Sequence, residues 1–271
     1  MEGLKIAYVE KNSGVANTFF FIHGNSCSSA MWRKQFDSEL LNNYRLIAID
    51  LPGHGHSGFS NDPLVDYSPT GTSKILSQAI KKLAETNLYV LIGFSYGSNL
   101  AAEMLQHDLK PNGIILLGSC VLGENFGLEK IFIQYDTPSI YLYNEPDELV
   151  VSGFLHKNIN LTHEEDIRNL ISDYLSVSPD FKPALFKTAA EGKISDEIFA
   201  LNESNIPACV IFGKDDKLVN IDYLDSLPFP VWKNNIFKFP GAGHWVNIDN
   251  PEVFNKIISE YAEEVFTPGH V

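Results

Sequence analysis

Residues 89–97 read YVLIGFSYG, and this stretch decides the fold of the chain. Its first half is a continuous apolar run, which predicts a strand buried on both faces of a sheet. Ser95 then stands between Gly93 and Gly97, at the start of a segment with helical spacing. Glycines at these two places allow a tight strand-to-helix turn that presents a serine side chain at the end of a sheet. The stretch therefore predicts Ser95 as a nucleophile, with an ordinary glycine-rich turn as the alternative.

Further β-rich apolar runs accompany this strand along the chain. They span residues 18–24, 44–50, 113–119, 208–214 and 235–241. Segments with apolar residues at helical spacing cover 72–86, 95–107 and 251–266. Because strands alternate with helices, the fold class is α/β, with a mostly parallel central sheet flanked by helices on both faces.

The stretch 121–205 breaks this alternation. It contains no clear strand, and its helix-like pieces at 145–155, 162–175 and 183–191 are separated by proline and glycine. We predict that it forms a small helical cap inserted after the sixth strand. The core domain would then consist of residues 1–120 and 206–271.

A histidine with the right surroundings for a catalytic base follows the last strand. His244 lies in the sequence GAGHW (241–245), on a loop bounded by glycines at the carboxyl end of a strand. Such a histidine can take the proton of Ser95 and later give it to the leaving group. We predict His244 as the base.

The acid that would orient this histidine follows the strand at 208–214. The sequence GKDDKLV (213–219) offers two adjacent aspartates, Asp215 and Asp216. Successive side chains point in different directions, so only one of them can face His244. The order serine, acid, histidine is that of the Ser…Asp/Glu…His arrangement. These residues alone leave the choice between the two aspartates open.

A second loop supplies the remaining parts of the predicted site. The sequence HGNS (23–26) follows the strand at 18–24, and Gly24 lets this loop turn close to a substrate. A tetrahedral intermediate needs hydrogen-bond donors for its negative oxygen, and we predict the backbone N–H groups of Asn25 and Tyr96. Neighbouring residues are candidates for the pocket wall, with core packing as the alternative for the aromatic ones. The predicted pocket residues are Gly24, Trp32, Phe94 and Trp245.

Five motifs together resemble the α/β-hydrolase superfamily. They are HGNSCSS, DLPGHGHS, GFSYGS, FGKDDKLV and GAGHW, and the resemblance covers nearly all of the chain outside the cap. The resemblance implies the α/β-hydrolase fold and a serine hydrolase activity. In the superfamily's G-x-x-D pattern the acid stands third after the glycine, which favours Asp216 here.

The chain also resembles the N-acyl-homoserine lactone hydrolases of this fold. The resemblance rests on IHGNS, on DLPGHG and on the segment DYLDSLPFPVWKNN (222–235) that follows the acid loop. It implies hydrolytic opening of a lactone ring by Ser95. The family's tryptophan before the nucleophile is Phe94 in this chain.

Composition narrows the choice of partners. The 271 residues carry a net charge of −14 without a cluster of Lys or Arg, which disfavours nucleic acid and anionic membranes as partners. The three cysteines have no metal-ligand spacing, and we expect neither a metal nor an organic cofactor. The first residues lack the pattern of a secretory signal, so we expect a soluble, cytoplasmic protein. The oligomeric state stays open.

The sequence thus predicts a serine hydrolase that cleaves a carboxylic ester or lactone of a small molecule through an acyl-enzyme. N-acyl-homoserine lactone hydrolysis is the more specific hypothesis. Two alternatives remain open, because fold does not fix function. One is a carbon–carbon bond hydrolase that acts on a diketone with the same triad. The other is a non-catalytic ligand receptor or signalling protein on the same fold.

Overall fold

One sheet of seven strands forms the centre of the molecule. The computed structural model describes residues 4–85, 87–107, 109–124, 128–133, 147–160, 164–226 and 229–267. The strands in these ranges are β1 (Tyr8–Lys11), β2 (Thr18–Ile22), β3 (Arg45–Ile49), β4 (Tyr89–Phe94), β5 (Gly113–Leu117), β6 (Ala208–Gly213) and β7 (Val231–Phe239). Their order is β1-β3-β2-β4-β5-β6-β7, and every neighbouring pair is parallel except β1 with β3. The predicted fold class is confirmed.

Helices surround this sheet. They are α1 (Arg33–Phe36), α2 (Pro63–Asp66), α3 (Pro69–Ala84), α4 (Tyr96–Glu103), α5 (Leu128–Ile131), α6 (Glu148–Asn158), α7 (Glu164–Ser176), α8 (Phe181–Ala190), α9 (Glu197–Ser204), α10 (Val246–Asp249) and α11 (Pro251–Val265). In the described parts of the chain, none of them combines the length and the apolar character needed to cross a membrane.

The alternation of side chains along each strand divides the core into two layers. On β2, Phe19 and Phe21 belong to one apolar cluster, and Phe20 and Ile22 belong to the other. Helix α11 packs on the first face, while α3 and α4 pack on the second. Successive residues of a strand point to opposite faces, so a run that is apolar throughout must be covered on both.

The structure differs from the sequence prediction at the two edges of the sheet. Strand β1 was not predicted, because Tyr8 and Val9 are exposed at the sheet edge and give no buried apolar run. Strand β7 begins four residues before the predicted 235–241. Its first part is polar and irregular, with Lys233 and Asn234 at positive φ and a shift of register opposite β6.

Helices α6, α7 and α8 correspond to the three helix-like pieces of the predicted cap. Residues 145–146 and 162–163, at the beginnings of two predicted pieces, lie outside the described residues. The segment follows β5 rather than a sixth strand, because a single strand, β1, precedes β2 in the described chain. Helix α9 was not predicted, and it packs against α4 of the core. The domain boundaries at 121 and 205 stay a prediction.

Ion pairs and a hydrogen bond fasten α7 to residues 28–34, which follow β2 and include the start of α1. Asp166 contacts Arg33 at 2.7 Å and Lys34 at 2.8 Å. Asp173 accepts a hydrogen bond from the Ser28 hydroxyl at 2.8 Å. Both carboxylates belong to α7, so this helix has a defined position on the core.

Candidate active site

Ser95 lies at the turn between β4 and α4, at the carboxyl end of a central strand. Its backbone has φ 50° and ψ −119°, a conformation that non-glycine residues rarely adopt. The Ser95 N–H donates to the Leu117 carbonyl at 2.9 Å, which helps to hold the turn. A Cβ at Gly93 would lie 2.3 Å from the Gly97 carbonyl oxygen, and one at Gly97 would lie 2.3 Å from that of Ile22. The turn therefore requires both glycines.

His244 and Asp216 form a buried hydrogen-bonded pair. The distance between His244 Nδ1 and Asp216 Oδ2 is 2.7 Å. The other carboxylate oxygen of Asp216 accepts the backbone N–H groups of Leu218 and Val219 at 2.8 and 3.0 Å. These bonds fix the carboxylate in place. With Nδ1 donating to Asp216, the Nε2 atom of His244 is free to accept a proton.

The neighbouring aspartate points elsewhere. Asp215 is exposed, and its carboxylate accepts a hydrogen bond from the side-chain amide of Asn160 at 3.2 Å. Its backbone N–H donates to the Ala242 carbonyl at 3.0 Å. The structure thus brings Asp216, and not Asp215, to His244.

The nucleophile loop contacts the histidine through its aromatic residue. The Phe94 ring lies 4.9 Å from the His244 ring, and the Trp245 ring lies 5.1 Å from it. A Cβ at Gly24 would lie 2.9 Å from the Phe94 ring. Gly24, Phe94 and Trp245, three of the four predicted pocket residues, are therefore linked by contacts around the imidazole.

Trp32 has a different place. Its side chain is fully buried, with ring distances of 5.0 Å to Phe21 and 6.3 Å to Phe254. These partners belong to β2 and α11, so Trp32 packs in the core layer beneath α11. The structure does not bring Trp32 to the His244 ring. The physical reason is that its large apolar indole is buried in the space between the sheet and α11.

Ser95 Oγ has a sulfur neighbour. Its distance to Cys120 Sγ is 3.8 Å. Burial raises the pKa of the Cys120 thiol to about 12, so the thiol is neutral at ordinary pH. If Ser95 is the nucleophile, attack on a substrate requires its side chain to turn from Cys120 toward Nε2 of His244, a tightening that is common when substrate binds.

The two predicted oxyanion donors have free N–H groups. Tyr96 is the first residue of α4, so its N–H has no intrahelical acceptor. The described residues offer no backbone or side-chain acceptor for the N–H of Asn25 either. Both groups are therefore available to a bound ligand.

Two buried histidines hold the loop that carries Asn25. His23 donates from Nδ1 to the Gly24 carbonyl at 2.8 Å and accepts the Leu51 N–H at Nε2 at 3.0 Å. His54 accepts the Ser26 N–H at 3.3 Å. Burial lowers the pKa of both imidazoles, which keeps them neutral and suits these paired donor and acceptor roles.

Sequence reasoning missed several residues near the site. Gly118 has φ +53°, and a Cβ there would lie 3.1 Å from His244 Nδ1. The glycine that directly follows β5 was a usable signal, because the carboxyl ends of parallel strands share one edge. Glu197 accepts hydrogen bonds from the Asn99 side chain and the Leu122 N–H, both at 2.8 Å. It escaped notice because α9 was not predicted.

Among the residues that the structure describes, no group of three His, Cys, Asp or Glu side chains is arranged to hold a metal ion.

Comparison with known proteins gives the class of protein. Residues 17–251 match the family model described as the alpha/beta hydrolase fold. The chain belongs to this family. With relatives named as hydrolases and esterases, it is a hydrolase.

Three similar proteins illustrate the range of the family. A 2-hydroxy-6-oxononadienedioate/2-hydroxy-6-oxononatrienedioate hydrolase of Paraburkholderia phymatum is 25% identical over 95% of this chain and 91% of its own. The structure of the N-acyl homoserine lactonase AidH with N-butanoyl homoserine has a TM-score of 0.89 at 22% identity, covering 98% of this chain and 95% of that one. A putative aryl esterase from Burkholderia cenocepacia has a TM-score of 0.81 at 22% identity, covering 97% and 96%. The structural likenesses concern the fold.

Proposed function

We propose that the protein hydrolyses a carboxylic ester or lactone through an acyl-enzyme on Ser95, with His244 as base and Asp216 as acid. The observation that carries this proposal is the buried 2.7 Å contact between His244 and Asp216, on loops that meet the nucleophile turn. A buried carboxylate at Nδ1 orients the imidazole and stabilises its charged form.

In the acylation half, Ser95 Oγ bonds to the substrate carbonyl carbon while its proton passes to Nε2 of His244. The carbonyl oxygen becomes negatively charged and accepts hydrogen bonds from the N–H groups of Asn25 and Tyr96. When the carbonyl re-forms, the bond to the alkoxy oxygen breaks. His244 gives its proton to that oxygen, which leaves as an alcohol or, in a lactone, as the hydroxyl of the opened ring.

In the deacylation half, His244 takes a proton from water, and the resulting hydroxide adds to the acyl carbon. The second tetrahedral intermediate uses the same two N–H donors. Its collapse returns the proton to Ser95 and releases a carboxylic acid. Asp216 accepts the Nδ1 proton of His244 in a hydrogen bond and stabilises the imidazolium in both halves.

N-acyl-homoserine lactones are the specific substrates that the motif resemblance favours. The structural likeness to AidH agrees with this hypothesis at the level of the fold. An open-ring product would keep the acyl amide intact, because only the ring ester reacts.

Carbon–carbon bond hydrolysis is the second candidate. Its support is the similarity, along 95% of this chain, to a relative named as a 2-hydroxy-6-oxononadienedioate hydrolase. The same three residues would then cleave a bond next to a ketone rather than an ester bond.

Initial rates on three substrates separate these candidates. They are a short p-nitrophenyl ester, an N-acyl-homoserine lactone and a 2-hydroxy-6-oxo-dienoate, each with Ser95→Ala as the control. We expect ester or lactone turnover that the Ser95→Ala variant lacks, although it remains folded by circular dichroism. Lactone turnover well above ester turnover would support the hypothesis of N-acyl-homoserine lactone hydrolysis.

Turnover that persists in the Ser95→Ala variant would contradict the assignment of the nucleophile. Turnover of the dienoate alone would favour the carbon–carbon hydrolase. A folded protein that turns over none of the three would favour the receptor hypothesis.

A further inference from the structure

Lys182 is a buried cation near the beginning of α8. The residue is only 3% exposed. Its Nζ atom lies 3.7 Å from the centre of the Tyr174 ring on α7. Among the residues that the structure describes, no carboxylate forms an ion pair with this ammonium group and no acceptor takes a hydrogen bond from it.

Such an arrangement is costly for the folded protein. Buried charges are normally paired, because loss of hydration is not otherwise compensated. A tyrosine face attracts the ammonium group but accepts none of its three N–H bonds in the way that an anion does. Burial lowers the pKa of Lys182 to about 8, so the group still carries its charge at neutral pH. The described residues supply no counter-ion for this ammonium group.

The surroundings of Lys182 border the candidate active site. Tyr174, which the ammonium group contacts, lies next to Ser26, beside the Asn25 donor. The residue before it, Phe181, has ring distances of 4.3 Å to His54 and 6.2 Å to Tyr96. The start of α8 therefore contacts Tyr96 directly, and it reaches the loop that carries Asn25 through His54, which accepts the Ser26 N–H.

We propose that Lys182 binds a carboxylate carried by the substrate, so that the enzyme prefers anionic esters or lactones to neutral ones, N-acyl-homoserine lactones included. This inference rests on the proposed function, whose substrate class it narrows. The ammonium would donate charge-assisted hydrogen bonds to a carboxylate oxygen.

A carboxylate fits the local charge better than a phosphate dianion does. Lys182 brings one positive charge, and the nearby His54 is neutral because burial lowers its pKa well below the usual range. One positive charge balances the single charge of one carboxylate group. It leaves a phosphate dianion, which holds two charges on one group, undercompensated. The geometry thus favours a substrate with a single carboxylate at this place.

Calorimetric titration with succinate, glutarate and adipate tests the proposal without requiring turnover, and glutaramide serves as the neutral probe. We expect at least one dicarboxylate to bind the unaltered protein more tightly than glutaramide does. In Lys182→Met that binding should weaken by about 10- to 100-fold, the loss typical of a charge-assisted hydrogen bond. Lys182→Arg should retain part of it.

Lys187→Met is the matched control, because Lys187 lies on the same helix and is exposed. It should bind the dicarboxylates as the unaltered protein does. If Lys182→Met does not fold, Lys182→Gln takes its place. Failure of all three dicarboxylates to bind, or equal binding by the Lys182 variants, would overturn the proposal.

Hydrolysis of neutral p-nitrophenyl butyrate and of anionic mono-p-nitrophenyl glutarate by the same preparations keeps the two hypotheses apart. Carboxylate binding that depends on Lys182, without hydrolysis of either ester, would support the anion site and count against the proposed function. Hydrolysis that depends on Ser95, without carboxylate binding, would support the function and overturn the anion site.

Discussion

Replacing Asp216 by asparagine removes one charge and changes one hydrogen-bond direction. Asparagine can keep its oxygen on the N–H groups of Leu218 and Val219, where Oδ1 of Asp216 now lies. Its NH2 group then faces Nδ1 of His244, and two donors cannot share a hydrogen bond. The imidazole must therefore accept at Nδ1 and carry its proton on Nε2, the atom that has to receive the Ser95 proton.

The expected cost is large. A triad with the wrong histidine tautomer typically loses about 10⁴-fold in kcat, which corresponds to about 5 kcal/mol in the activation free energy. Asp215→Asn is the matched comparison, because it removes only an exposed contact with Asn160. Surface changes of this kind usually alter stability by less than about 0.5 kcal/mol. Because Asp215 does not contact His244 either, the rate of Asp215→Asn should stay within about twofold of that of the unaltered enzyme.

The measurement is kcat/KM for the substrate that turns over fastest, with circular dichroism and thermal unfolding on both variants. The reasoning would be refuted if Asp215→Asn lost more activity than Asp216→Asn. It would also be refuted if a folded Asp216→Asn enzyme kept more than about a tenth of the rate.

Two further predictions concern Gly118 and Glu197. Gly118→Ala should lower kcat by roughly tenfold or more because its Cβ would press on His244. Gly192 also has a positive φ, +77°, but a Cβ there would meet nothing within 4 Å, so equal kcat values in Gly118→Ala and Gly192→Ala would contradict this reasoning. Burial raises the pKa of Glu197 to about 8. Between pH of about 4.5 and about 8 the folded protein therefore keeps a proton on Glu197 that the unfolded chain has lost, and the free energy of unfolding should fall as the pH rises through this range. The melting temperature of Glu197→Gln should not show this fall with pH, whereas that of Glu203→Gln, a change at an exposed residue, should still show it. The same fall in Glu197→Gln as in the unaltered protein would contradict the raised pKa of Glu197.

The parts of the fold that the sequence predicts are those with a periodic apolar signal. Strand β4 and helix α11 lie where predicted, because their buried faces leave continuous or helically spaced apolar residues. Strand β1 and the first half of β7 carry exposed and polar residues at the sheet edge. Their backbone hydrogen bonds, rather than their side chains, determine that they are strands, and a sequence pattern cannot report that.

The candidate site likewise has parts that the sequence predicts and parts that only the folded structure shows. The turn at Ser95 and the loop at His244 have glycine signatures that are visible in the sequence. The choice of Asp216 over Asp215 depends on the direction of each side chain, which only the folded loop determines. Trp32 was placed in the pocket because it is near a motif along the chain, whereas its ring packs under α11. Lys182 gave no signal, because burial of a single lysine has no sequence pattern.

The attachment of α7 has a consequence for how a substrate enters. Asp166 and Asp173 tie this helix to residues 28–34, directly after the loop that carries Asn25. Lifting α7 as a gate would pull on that loop and disturb the proposed oxyanion donors. A route in and out that leaves α7 seated keeps the donors in position from one turnover to the next, so the enzyme does not have to rebuild them in each cycle.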